Sequence, residues 1–230
     1  MSKTKVFNLS YAGLLIAQLG AMSLGYTSIA TAFKPMLIVL LLIWLVVTTR
    51  LQGKFRKYIT SGLLAAGAAD ILLSFPGNAF FTAVLALMSV SYMLYIRAFS
   101  LDHLSDPHKG NVFFKWGIAG FGAVCAILMV SMHAYLGSMR LPVLLYSFIF
   151  SWMGVMAVNR FDKVSAESFR LILAGVFILV VSSILLITSK FYGSGLAVDC
   201  VRVFCWLSGQ YLVTEGTRLR RLKVLQTPVD

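Results

Sequence analysis

Charge is scarce in this chain, and negative charge is scarcest. Only 12% of 230 residues are charged, with eight Asp and Glu against twenty Lys and Arg. Soluble domains run nearer a quarter charged, so composition argues against a soluble globular fold. Alternating strand-like runs are missing, which argues against an outer-membrane barrel. Three cysteines (Cys125, Cys200 and Cys205) lie in or beside apolar runs without metal-site spacing, and read as small packing residues. The histidines, His103, His108 and His133, are scattered along the chain. No metal and no organic cofactor is expected.

What is present is apolar sequence. Hydrophobic residues make up 59% of the chain and the mean hydropathy is +0.87. A hydrocarbon core ~30 Å thick takes about 20 helical residues per span. The expected fold class is therefore an all-α membrane protein with eight transmembrane helices, in one integral membrane domain over residues 1–230. The spans are expected near 7–26, 34–49, 58–75, 79–99, 112–134, 141–158, 168–188 and 195–214. Breakers separate them: Lys34-Pro35, Pro76-Gly77-Asn78, Asp106-Pro107, Gly137-Ser138 and Gly193-Ser194-Gly195. Lys3 and Lys5 before an apolar stretch, with Ala30-Thr31-Ala32 after it, imitate a signal peptide. Seven further spans follow, which favours an uncleaved first helix.

The basic residues sort by side. Lys34, Arg140, Lys190 and Arg202 fall on one side, and the other sixteen of the twenty Lys and Arg fall on the opposite side. This positive-inside bias puts both termini in the cytoplasm, and the expected location is a bacterial inner (plasma) membrane. The net charge of +12 sits in short loops, which fits topology and anionic headgroups rather than nucleic acid. The expected partner from this pattern is the bilayer; oligomeric state is not legible.

Two stretches echo each other. Phe33-Lys34-Pro35-Met36-Leu37 is expected to open the second helix, and Arg140-Leu141-Pro142-Val143-Leu144 the sixth. Trp44 and Trp152 follow at similar distance, and Asp70-Ile71-Leu72-Leu73 matches Ser183-Ile184-Leu185-Leu186. A duplicated four-helix unit, about 7–99 and 112–214, would have both halves pointing the same way. Asp70 and Ser183 would then face one cavity from opposite sides.

Asp70 is the residue that points to function. It interrupts the run Leu63 to Leu73, with no other charge between Lys57 and Arg97. A carboxylate at membrane depth costs a few kcal/mol on insertion scales. It marks a functional site, unless it makes a helix-packing hydrogen bond or pairs with a lysine. Lys34, Tyr146 and Ser183 fall at similar depth by position along their helices. Lys34 reads either as an interface anchor or as a cation for a lipid phosphate.

At these residues the chain resembles the YhhN-type lysoplasmalogenase family of multi-pass membrane hydrolases, over roughly residues 33 to 213. Lys34-Pro35 matches its Lys-Pro, and Gly62 and Asp70 match its Gly…Gly-Asp motif, followed by Leu72-Leu73 and Pro76. Tyr95-Ile96 and Ala98-Phe99 match the end of its His-Leu-Leu-Tyr…Ala-Phe motif. Pro142-Val143, Tyr146 and Met153 match its Pro-Val…Tyr…Met helix. Ser182 and Leu185 match its Ser-Asp…Leu motif, and Gln210 and Leu212 its Tyr-Tyr-Ala-Ala-Gln-Leu-Leu motif. The chain departs where Tyr92 replaces the family histidine, Ser183 the second aspartate and Trp206 the first tyrosine of the last motif.

The resemblance implies hydrolysis of the vinyl-ether bond of a lysophospholipid to a fatty aldehyde and a glycerophospho-headgroup. Asp70, held protonated by burial, would be the general acid. Tyr146, Ser183 and Gln210 would position water and the glycerol hydroxyl, completing the catalytic set. Lys34 would hold the substrate phosphate, with Tyr95 and Tyr92 also assigned to substrate. Other readings stay open. Tyr92 and Tyr95 suit an interfacial aromatic belt. Gln210 suits an interhelical hydrogen bond. Glu215 and Arg218 look like solvated surface, Asp199 and Arg202 like an i, i+3 pair, and Ser100 to Gly110 like a polar connector. The whole protein could also be a non-hydrolytic lipid-binding protein, a small proton-coupled transporter or a family member without activity.

Overall fold

The computed structural model describes residues 3–104 and 112–222. Among them the chain forms α1 (Lys3–Ser23), α2 (Thr27–Thr49), α3 (Lys54–Leu72), α4 (Asn78–Leu104), α5 (Val112–Met132), α6 (Arg140–Val158), α7 (Ala166–Tyr192) and α8 (Leu196–Arg218). A single antiparallel bridge, Val164 to Leu222, is the one β contact among the described residues. Seven of the helices are long and apolar enough to cross a membrane; α3 is the exception. Its first turn, Lys54-Phe55-Arg56-Lys57, is basic, and its body is rich in Ala and Gly. The fold class is therefore all-α with multiple apolar helices, as composition predicts.

Helical periodicity explains the core. Leu37, Leu41 and Leu45 recur every fourth residue along α2 and are fully buried. Ile59, Leu63, Ala66 and Asp70 share one face of α3, and all are buried. Asp70 thus occupies a core position of its own helix. The turns at one end of the bundle are tight. Gly77 (φ 118°) and Gly193 (φ 79°) adopt backbone conformations open to glycine, between α3 and α4 and between α7 and α8.

The most extensive helix pairs are α3 with α4 and α7 with α8. The α2 helix lies on α3 and α8, α6 lies on α7 and α4, α1 lies on α2 and α8, and α5 lies on α6. The α7–α8 approach depends on small residues. A Cβ on Gly175 would stand 2.9 Å from the Gly209 carbonyl oxygen, and one on Gly209 would stand 3.0 Å from that of Gly175. Small residues let membrane helices approach backbone to backbone.

Several expectations are corrected. The second helix does not open at Lys34-Pro35. It begins at Thr27, so Pro35 lies inside it and Lys34 about two turns in. The apolar run carries the helix through a proline, which membrane helices tolerate where neighbours satisfy the freed backbone groups. The segment from Ser100 is no connector at its start, because α4 runs on to Leu104. The rest of that expected connector, with His108, lies outside the described residues.

The extended end of α4 carries a buried ion pair. Asp102 is fully buried and accepts from Arg160 Nε at 2.6 Å and from Arg220 Nε at 2.7 Å, with Arg220 Nη2 on the same oxygen. Arg160 is itself fully buried, with its guanidinium over the rings of Phe55 and Phe99 at 5.4 and 5.2 Å. Its Nη2 also donates to Ser168 Oγ, which donates to the Gly216 carbonyl. Burial pushes the Arg160 guanidinium below its ordinary range, and the Asp102 carboxylate opposes that shift. Glu215 is likewise not solvated surface. It is buried and accepts from Trp44 Nε1 at 2.6 Å and from Arg218 Nε at 2.9 Å.

Candidate functional site

The site lies in the half of the bundle away from the basic end, where α3, α4, α6, α7 and α8 converge. Asp70, in the last turn of α3, is 4% exposed. Its Oδ2 accepts from Trp206 Nε1 of α8 at 2.7 Å. Beside the carboxyl is a cavity open to a water centre over about 10 Å³, room for about one water molecule. Its walls are Asp70, Met88, Tyr146, Ser182, Ser183, Leu186, Arg202 and Trp206.

A hydroxyl cluster forms the far wall. Ser183 Oγ donates to the Leu179 carbonyl at 2.9 Å and accepts from the Tyr146 hydroxyl at 2.8 Å. The Tyr92 hydroxyl lies 2.9 Å from the same oxygen. A serine hydroxyl has one proton, already committed to Leu179, so Tyr92 is the donor in that pair. The Tyr92 and Tyr146 rings stack with centroids 5.8 Å apart. Both are fully buried, which overturns the aromatic-belt reading of Tyr92. Tyr95 is buried too, and its hydroxyl donates to Gln210 Oε1 at 2.7 Å. Tyr95 and Gln210 lie about one turn further toward the basic end, joining α4 to α8, and do not border the cavity.

Outside the cavity is a vestibule of about 240 Å³ beside the turn at Gly77. It shares Leu186 and Arg202 with the cavity. Lys190, Arg202, Asp199 and Ser189 supply its polar groups. Ser189 Oγ and Arg202 Nε are buried with no hydrogen-bond partner. Arg202 Nε stands 3.6 Å from Asp199 Oδ1, an ion pair too long for a hydrogen bond. Asp199 accepts from Ser194 Oγ at 2.9 Å, and Lys190 Nζ lies 5.2 Å from the centre of the Phe81 ring. Lys34 is half-buried and within electrostatic reach of Arg202, Asp70 and Asp199. Among the described residues it makes no direct ion pair with Asp70.

The structure thus brings Asp70, Tyr146 and Ser183 to one cavity, with Tyr92 bonded behind them and Lys34 near its outer side. It sets Tyr95 and Gln210 apart as their own pair. Sequence reasoning missed Trp206 and Arg202 as site residues. The signal was available: Arg202, Trp206 and Gln210 recur every fourth residue and so form one stripe of α8. No group of three His, Cys, Asp or Glu side chains that could hold a metal comes together among the described residues. Chemically, the arrangement offers a carboxyl beside a water-sized void, hydroxyls across from it, and, outside, a guanidinium Nε and a serine hydroxyl that make no hydrogen bond.

A model of the YhhN family matches residues 29–217. The chain belongs to the YhhN family. No curated protein and no solved structure matches it.

Proposed function

We propose, from its place in the YhhN family, that this protein is a membrane hydrolase that cleaves the vinyl-ether bond of a lysoplasmalogen. The products are a fatty aldehyde and a glycerophospho-headgroup, glycerophosphoethanolamine or glycerophosphocholine. The observation that carries the reading is the Asp70 carboxyl bordering a one-water cavity that meets a cationic vestibule.

The chemistry needs an acid, a water and a place for a phosphate. Asp70 transfers its proton to the β-carbon of the enol ether, leaving an oxocarbenium ion and a carboxylate. Water from the cavity adds to the cationic carbon and gives its proton to that carboxylate, which restores the acid. The hemiacetal then collapses to aldehyde and the glycerol hydroxyl. Trp206 holds one carboxyl oxygen at 2.7 Å, so proton transfer uses a fixed geometry. Tyr146 and Ser183 orient the water. Arg202, Lys190 and Lys34 take the phosphate, Arg202 through an Nε that has no hydrogen-bond acceptor in the protein. Gln210 and Tyr95 support α4 against α8 rather than touch substrate.

The same reading includes a duplicated unit with both termini cytoplasmic. Exchanging the halves maps the α3–α4 pair onto α7–α8, α2–α3 onto α6–α7, and α2–α8 onto α6–α4, and all of these pairs pack. Basic residues on one side supply the orientation.

The second reading, lipid binding without turnover, draws on the tight fill around Asp70. Incubating the purified protein with a vinyl-ether lysophospholipid and assaying free aldehyde separates the two. Aldehyde release that disappears in Asp70→Asn supports hydrolysis. Saturable lipid binding with no aldehyde supports the second reading.

A further inference from the structure

A groove lies in the half of the bundle opposite the Asp70 cavity and shares no wall residue with it. The α5 helix rests on α6 and leaves a groove of about 830 Å³ between itself and α7. Its walls are almost wholly apolar, with Phe113, Trp116, Phe121, Phe161 and Phe177 among them. Gly120 of α5 lies on its wall, and a Cβ there would meet nothing within 4 Å. Among the described residues the one charged wall residue is Arg170, in the second turn of α7. The α7 wall runs from Phe169 to Phe177, about 12 Å along a helix axis, and so reaches close to the middle of a hydrocarbon core ~30 Å thick.

We propose that this groove binds an acyl chain of an anionic phospholipid from the leaflet at the basic end, with Arg170 against its phosphate. Length, polarity and charge all point to that occupant. The groove is one leaflet deep, apolar along its depth, and cationic only where a headgroup would lie. A second copy of this chain is a poorer fit. Inserted the same way, it would bring its own basic end beside Arg170, and each copy carries a net charge of +12. Trp116, 73% exposed on the groove, provides a reporter.

The test uses full-length protein in bilayer nanodiscs containing phospholipids with brominated chains, which quench tryptophan. The Trp116 signal is the difference between the protein and its Trp116→Phe variant. Brominated phosphatidylglycerol is expected to quench that signal at about five-fold lower mole fraction than brominated phosphatidylcholine. Arg170→Gln should remove the preference, and Gly120→Phe, which fills the groove, should remove the high-affinity quenching. Gly120→Leu and the thermal unfolding midpoint guard against a misfolded variant. Equal quenching by both lipids overturns the proposal. So does Gly120→Phe or Gly120→Leu that folds and keeps the preference, or that instead abolishes a dimer.

Discussion

The indole Nε1 of Trp206 donates to Asp70 Oδ2 across 136 positions of sequence, and the pair is buried. An indole is a donor only, so this contact holds an oxygen of Asp70 without taking its proton. Asp70→Asn keeps the shape and removes the acid. It is expected to lower aldehyde release by about 10²–10⁴-fold. Trp206→Phe should lower it less, by about ten-fold, because it removes one hydrogen bond to the carboxyl. Undiminished turnover in Asp70→Asn would take the carboxyl out of the mechanism.

Ser183 is the acceptor shared by two phenols, and the resemblance puts an aspartate at its position. Ser183→Ala leaves buried hydroxyls of Tyr92 and Tyr146 without that acceptor, costing about 1–3 kcal/mol. Ser183→Asp supplies a carboxylate that accepts both, and is expected to fold and to raise aldehyde release. Thermal unfolding and the aldehyde assay read the two effects. A folded Ser183→Asp protein with less activity than the unaltered chain would show that the second carboxylate has no role here.

The vestibule donors are assigned to the headgroup and not to the chemistry. Lys190→Gln and Arg202→Gln should therefore raise KM for a lysophospholipid and leave kcat nearly unchanged. Steady-state kinetics at fixed lipid-to-detergent ratio give the split. A fall in kcat alone would move these residues from binding into the reaction.

The Asp102–Arg160 pair lies at the other end of the bundle from Asp70. Asp102→Asn leaves a buried guanidinium without its counter-charge, a loss of about 3–5 kcal/mol for a pair broken on one side. The unfolding midpoint should drop while the folded fraction keeps its specific activity. Lost specific activity in protein that is fully folded would couple this end to the site.

Gly62 faces the Tyr95 ring, and a Cβ there would stand 2.5 Å from Tyr95 Cε1. Gly62→Ala should cost about 1–3 kcal/mol through overpacking. Tyr95→Leu, which removes the ring edge, should recover part of that loss in the double variant. An additive double variant would mean that the contact is not what excludes alanine.

Much of this protein is written in one dimension. Apolar runs of span length, the breakers between them and the sidedness of the basic residues state a multi-pass helical protein, because a bilayer leaves few other ways to satisfy the backbone. Asp70 stands out because a carboxylate in such a run is costly. Periodicity also puts it with Ile59, Leu63 and Ala66 on the core face of α3. Pro35 lies inside α2 because a breaker marks a helix end only where neighbouring groups do not compensate, and neighbours are a property of the fold.

Partnership was decided in three dimensions. Asp102 and Arg160 read as loop or surface charge, yet they are buried against each other across 58 positions, and Glu215 is buried against the indole of Trp44 on α2 and the neighbouring Arg218. Trp206 of α8 reaches Asp70 of α3, and Tyr92 of α4 and Tyr146 of α6 meet on Ser183 of α7, through helix packing that spacing along the chain does not state. Spacing along a helix states which face a side chain takes. It does not state which helix covers that face, and the chemistry of a buried polar group is set by what covers it.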